Sequence, residues 1–442
     1  MRTFVSRTLE TYRVILANAG AMVGATAVTS GLGFVYWWLA ARTFPAEAVG
    51  LASAAVSAML LLGNVSVLGF GTLLIGELPR QPDRQVSLIV TALVIVGAAG
   101  GILGILFAMA APWISPDLRA LASAGSAAIF ALGASLTSIT LVLDQAIIGL
   151  LHGELQLGRN TLFALSKLGA LLAAGLWLSS KPGLTIYATW TLGNLISLIG
   201  LAGLAASRGI RISDCRPQWG ILRRLGRAAL GHHALNLTLQ APSLMLPVVV
   251  TALLSARMNA YFYAAWMIAY FMFAGSVALT TVLYAVGAAE PTALMHKIRA
   301  TLKLSLVIGL LANIVLLLGA NLVLSLFGHV YAEQAGWSLR LLGLAVFPLI
   351  VKNHYVAICR IQGRTAGVAL FMAAGGLLEL TLVALGAKVG GLTGLSLGWL
   401  VAICVEAAFM AGTVYRLAVP ANELRQEQVS EATVPSLGRS RG

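Results

Sequence analysis

Charge is scarce in this chain. Lys, Arg, Asp and Glu make up 10% of its 442 residues, against roughly a quarter in soluble domains. Hydrophobic residues make up 59%. No soluble core of this length hides so much apolar surface, so the solvent is largely lipid. The short alternating segments of a membrane β-barrel are absent, and continuous apolar runs of about 20 residues stand in their place. Cysteine is nearly absent too. Cys215, Cys359 and Cys404 have no metal-ligand spacing and form no secreted disulfide framework. The chain has no Gly-rich phosphate loop of the Walker type, which argues against direct ATP hydrolysis. Acids are the rarest charge, 15 against 29 Lys and Arg, for a net charge of +14. In a soluble protein that excess suggests nucleic acid. Here the basic residues sit between apolar segments, and nucleic acid is not an expected partner.

Twelve apolar stretches reach bilayer-spanning length, near 15–42, 49–78, 86–111, 118–151, 160–180, 184–206, 228–254, 259–288, 301–328, 336–359, 365–387 and 392–416. The first follows Arg2, Arg7 and Arg13. It is too long for a signal-peptide core and reads as an uncleaved span. The gaps alternate between basic and nearly free of basic residues. Twenty-one of the 29 Lys and Arg fall on one side, and only Arg42, Arg119, Lys181, Arg257 and Lys388 on the other. Basic residues stay cytoplasmic during insertion, so both termini are expected in the cytoplasm. The outer gaps are all short, which argues against membrane glycosyltransferases, polymerases and ligases with large outer catalytic loops. Four parts follow: a first six-helix bundle (1–206), a basic cytoplasmic loop (207–227), a second six-helix bundle (228–417) and a polar, disordered cytoplasmic tail (418–442).

The halves look alike. WLAARTFPAEAVGLASAAVSAM, between spans one and two, and VVTALLSARMNAYFYAAWMIAY, between spans seven and eight, both run from an apolar helix through a short polar turn into the next helix. Two generic hairpins would also give this pattern. As a repeat with six spans per half, it implies an axis along the membrane normal, as in alternating-access transporters. The stretch GFVYWWLAARTFPAEAVGLASAAVSAMLLLGNVSVLGFGTLLIGELPR resembles the opening hairpin of bacterial polysaccharide and O-antigen flippases. These belong to the superfamily of multidrug and oligosaccharidyl-lipid/polysaccharide exporters. LDQAIIGLLHGELQLGRNTLFALSKL resembles their fourth and fifth spans, and LLGLAVFPLIVKNHYVAICRIQGR their tenth. The resemblance implies an all-α polytopic fold of about twelve spans in two six-helix bundles, a MATE-like V around a central, often cationic, cavity. It also implies a flippase carrying undecaprenyl-pyrophosphate-linked oligosaccharide across the bacterial inner membrane. Membrane lipids, a polysaccharide polymerase and glycosyltransferases would be its partners. A cation-coupled multidrug exporter of the same fold and a membrane enzyme of glycan assembly are the alternatives.

Charges inside the bilayer cost several kcal/mol by insertion scales, about 2.5–3.5 each, and need partners or water. Asp144, Lys167, Arg340, Lys352, Glu379 and Glu406 fall within spans. Counted along the helices, Asp144 and Lys167 share a depth, as do Lys352 and Glu406, and Arg340 and Glu379 sit nearer the outer face. These are expected ion pairs or ion-coupling groups, either clamps between helices or participants in transport. His232, Asn236 and Gln240 lie four residues apart on one helical stripe behind Arg227. They read as a cavity site for pyrophosphate or as interhelical hydrogen bonds. Arg13 stands at the equivalent entrance of the first half, and Asn64 and Lys352 complete the cavity candidates. No catalytic constellation, metal-ligand set or cofactor motif accompanies them.

Overall fold

A computed structural model describes residues 28–178, 182–209, 217, 219–220, 227–289 and 294–418. Among them there is no strand. Hydrocarbon offers a peptide group no hydrogen-bond partner, so each crossing segment satisfies its backbone internally. The elements are α1 (28–43), α2 (Ala46–Ser66), α3 (Phe70–Glu77), α4 (Gln85–Ile114), α5 (Ala124–Gly149), α6 (Gly153–Trp177), α7 (Gly183–Ser207), α8 (Arg227–Leu253), α9 (Ala256–Ala289), α10 (Leu294–Ser325), α11 (His329–Leu344), α12 (Val346–Ile361) and α13 (Thr365–Ala418).

Nine of these are long and apolar enough to cross a membrane, and the pair α11 and α12, bent by 40°, forms a tenth crossing. α13 breaks at Gly390 and Gly391, where Gly391 has φ +56°. Its two arms, 365–389 and 392–418, each have the length of a span. They run antiparallel so closely that a Cβ on Gly386 would overlap the Gly394 carbonyl oxygen, and the reverse. With the arms of α13 counted separately, the described residues carry eleven of the twelve expected crossings, and α1 lies within the first expected run.

Three spans are not single straight helices. The second is broken between α2 and α3, where Leu68 and Gly69 have φ of 49° and 84°. The tenth bends at Ala345. The fourth begins with a separate 3-10 turn, Pro116–Ala122, before α5. Pro116 and the Ser115 cap, which accepts from the Asp117 amide at 3.3 Å, set that turn apart.

α2 is the centre of the molecule. Its apolar window is 67% buried, against 22% for the more apolar α10. It packs on α5 and α7 of the first half and on α8 and α9 of the second. At one end of the bundle the halves are stitched together. Asn259 of α9 donates to the Gly50 carbonyl at 2.8 Å and to Ser53 Oγ at 3.0 Å. Asp117 accepts from the Ala256 amide at 2.6 Å, at the start of α9. Arg257 pairs with Glu47. Trp38 Nε1 and Arg42 Nε both donate to the Leu326 carbonyl, at 2.9 and 2.7 Å. Rings add edge contacts across the same seam, Trp37 on Tyr263 at 4.8 Å and Phe34 on Phe327 at 5.4 Å. At the opposite end, α2 and α3 meet α8 where Gly69 lies beside Ala229.

The sealed end carries the turns after α1, α8 and α10, which the charge pattern assigns to the outer face. Gly50 permits the closest approach there, because any Cβ would overlap the Ala256 carbonyl oxygen. Overpacking of this kind costs about 1–3 kcal/mol. Gly50→Val is therefore expected to part the seam. Crosslinking between cysteines placed at Ser53 and Asn259 should slow at least about tenfold. An unchanged rate in Gly50→Val would contradict the close packing.

Candidate functional site

The α5–α6 hairpin positions the first buried charge pair. Leu151 turns the chain with φ +58°, and α6 starts at Gly153. Arg159 is therefore already inside α6, at 5% exposure, although the charge pattern places it in a cytoplasmic gap. It grips Asp144 through both branches, Nε to Oδ1 at 3.0 Å and Nη2 to Oδ2 at 2.7 Å, and also donates to Asn160 Oδ1 at 2.6 Å. Planar two-pronged pairing of this sort is the strong form of the carboxylate contact. The expected pair of Asp144 with Lys167 is thus not formed. Lys167 lies eight residues further along α6, about 12 Å at helical rise.

Lys167 is 2% exposed and surrounded by rings. Its Nζ lies 3.8 Å from the Trp190 centroid, 4.5 Å from Phe163 and 4.9 Å from Tyr36. The Tyr36 hydroxyl is engaged elsewhere, donating to the Ile186 carbonyl at 2.7 Å.

The second half holds a three-residue charge cluster. Lys352 of α12 meets Glu379 Oε1 at 2.8 Å and Glu406 Oε2 at 2.7 Å, one glutamate from each arm of α13. Trp399 Nε1 donates to Glu379 Oε2 at 2.8 Å. All three charged residues are buried. Gly375 makes room for Glu406, since a Cβ there would lie 2.7 Å from its Cδ. Oε1 of Glu406 is buried with no hydrogen-bond partner among the described residues, and its Oε2 contact with Lys352 is a charge contact off the hydrogen-bonding axis. Of the expected pairs, Lys352 with Glu406 is present. Arg340 with Glu379 is not, because Arg340 turns toward α10 and donates to the Leu317 carbonyl and to Asn321 Oδ1, both at 3.1 Å. Lys352, expected among the cavity residues, thus has two glutamates on its ammonium.

The polar stripe of α8 lies in the half of the helix away from the seal. Asn236 and Gln240 are exposed, and His232 is half-buried. Asn236 Oδ1 accepts from Arg360 Nη2 of α12 at 2.8 Å. The Nε of Arg360 is buried and has no hydrogen-bond acceptor among the described residues. Arg360 was not singled out by sequence, where it counts as a loop charge. The neighbouring His233 faces the Val65 backbone of α2. Asn64 is spent within its own helix, donating to the Leu60 carbonyl at 2.8 Å. Arg13 and the Arg227 side chain lie outside the described residues. Among the described residues no group of His, Cys, Asp and Glu is placed to hold a metal.

Removing one member of a buried ion cluster strands the rest, at about 3–5 kcal/mol. Lys352→Met is expected to lower the thermal unfolding temperature in detergent strongly. Adding Glu379→Gln and Glu406→Gln should recover most of the loss, because no bare charge then remains. A single variant as stable as the parent would contradict the cluster.

The chain matches no protein-family model and no curated protein sequence. Solved structures do match. One is the inward-facing conformation of a multidrug resistance MATE family transporter of the MOP superfamily, with TM-score 0.70 and 15% identity over 90% of this chain and 98% of that one. Another is the lipid II flippase MurJ in its inward closed conformation, with TM-score 0.70 and 12% identity over 94% and 93%. The outward-facing conformation of a MATE family transporter gives 0.58 at 16% identity over 91% and 96%. The chain thus is a multi-pass membrane protein with the fold that MATE transporters and the MurJ flippase share.

Proposed function

We propose that this chain is a flippase for polyprenyl-pyrophosphate-linked oligosaccharide, working by alternating access in the bacterial inner membrane with both termini in the cytoplasm. The disposition of charge carries this reading. Each intramembrane carboxylate named above is held by a basic partner, Asp144 by Arg159 and the two glutamates by Lys352. Donors are left over at the end opposite the seal, where Arg360 bonds Asn236 on the stripe that also carries His232 and Gln240. A site for cationic drugs needs free acids, whereas a pyrophosphate needs this set of donors. The fold shared with the lipid II flippase supports the same cargo class, and the wider likeness to MATE transporters keeps drug export as the second reading.

In this mechanism the headgroup enters from the cytoplasm, with its phosphates on Arg360 and the α8 stripe. The glycan stays in water between the halves, and the polyprenyl tail stays in lipid. Opening the seal around Gly50 and Asn259 then exposes the cargo to the far side. The cluster at Lys352 carries two carboxylates for one ammonium, so one proton makes it neutral in a medium that penalises charge. That proton is the proposed coupling ion. A polymerase and glycosyltransferases would supply and consume the cargo.

The proposal is tested in vesicles holding the purified protein and lipid-linked oligosaccharide. Arg360→Ala combined with His232→Ala is expected to slow translocation at least about tenfold at equal protein amount, the loss of one charge-assisted contact of about 1.5–3 kcal/mol. Unchanged flipping would rule out the stripe as the cargo site. Transport of cationic dyes without lipid-linked glycan would favour the exporter, and a covalently altered glycan would favour an enzyme. Collapsing the proton gradient should slow flipping in the parent and leave Glu406→Gln unaffected. Parent flipping that ignores the gradient would exclude the cluster as coupling site.

A further inference from the structure

Lys167 is the exception among the buried cations. Arg159 has Asp144 and Lys352 has two glutamates, and even the half-buried Arg340 has Asn321 and a carbonyl. Lys167 has no carboxylate, hydroxyl or carbonyl partner among the described residues, only the faces of Trp190, Phe163 and Tyr36. Ring faces attract an ammonium but offset only part of the cost of taking it out of water. The box also touches the seam. Trp190 lies on Trp37 at 6.4 Å, and Trp37 lies on Tyr263 of the other half at 4.8 Å. One continuous line of rings therefore runs from Lys167 to the seal. Trp190, Phe163 and Tyr263 are half-buried, so the rings cover the ammonium without locking it in.

We infer that Lys167 is a second anion subsite, which takes the phosphate of the cargo headgroup once the seam opens. This rests on the flippase reading and adds a residue on the far side of the pathway to it. Withdrawal of Tyr263 removes the outer wall of the ring line and frees Trp37 and Trp190 to swing off a cation with no counter-ion of its own. A phosphate arriving from Arg360 finds its next positive charge there. The anion then stabilises the opened form, so the cargo itself drives the opening.

The test is binding of undecaprenyl pyrophosphate to the protein in nanodiscs, with undecaprenol as the phosphate-free control and inorganic pyrophosphate as competitor. The parent is expected to bind the pyrophosphate lipid at least tenfold more tightly than undecaprenol. Lys167→Met should lose about tenfold, and Lys167→Arg, which keeps the charge, should stay within about threefold of the parent. The parent crosslinked between cysteines at Ser53 and Asn259 should bind as weakly as Lys167→Met. Thermal unfolding of each variant separates lost binding from lost fold, and the charge-preserving arginine supplies the comparison if methionine unfolds the protein. Equal affinity of Lys167→Met and parent for the pyrophosphate lipid overturns the subsite and leaves the flippase reading standing. Undiminished binding by the crosslinked protein overturns its link to the seam. A parent that binds undecaprenol as well as the pyrophosphate lipid sinks both. Competition by inorganic pyrophosphate identifies the headgroup, rather than the tail, as the ligand of Lys167.

Discussion

A charge placed in hydrocarbon must find its counter-charge among the helices around it, and that constraint organises this protein. Asp144 satisfies it with Arg159 across one hairpin, and Lys352 satisfies it with one glutamate from each arm of α13. The second arrangement ties three helical segments together at one point, with Trp399 closing the far side of Glu379. Pairing also has a functional consequence. Cations that are spent on neighbours are not available to cargo, and those that are not spent become the candidates. Arg360 and Lys167 are left by this reasoning, one at the unsealed end and one behind the rings of the seam.

The seal obeys a second constraint, which is steric. A helix that carries no side chain at a crossing approaches its neighbour until backbone meets backbone, and α2 does so against α9 at Gly50. The polar groups this brings together pair with one another, Asn259 with Gly50 and Ser53, and Asp117 with the first amide of α9. Every such bond crosses between the halves, so every one must break if the halves part there.

Much of this architecture was legible in the sequence. The apolar runs and the turns at Pro45, Ser255 and Gly390 gave the crossings, because lipid leaves a backbone no alternative to helix. Depth counting paired Lys352 with Glu406 correctly, since both sit a similar distance along their spans. The same counting failed for Asp144 and for Glu379. Depth says nothing of azimuth, and Arg159, one helical face away from Lys167 and nearer the loop, took the carboxylate. Arg340 shows the same limit, since it turns toward α10 and leaves Glu379 to Lys352. The positive-residue bias also misled at Arg159 and Arg360, because a basic residue near a span end serves topology and bonding alike. Nothing in the pattern marked Trp399 as a partner of Glu379.

The most direct measurement is the distance between spin labels at Arg119 and Lys388, which lie beside the turns at the sealed end, with and without lipid-linked oligosaccharide in nanodiscs. The account predicts one short distance without cargo and a second, longer population when cargo is added. A single distance that cargo leaves unchanged, in protein that nevertheless flips its substrate, would contradict it.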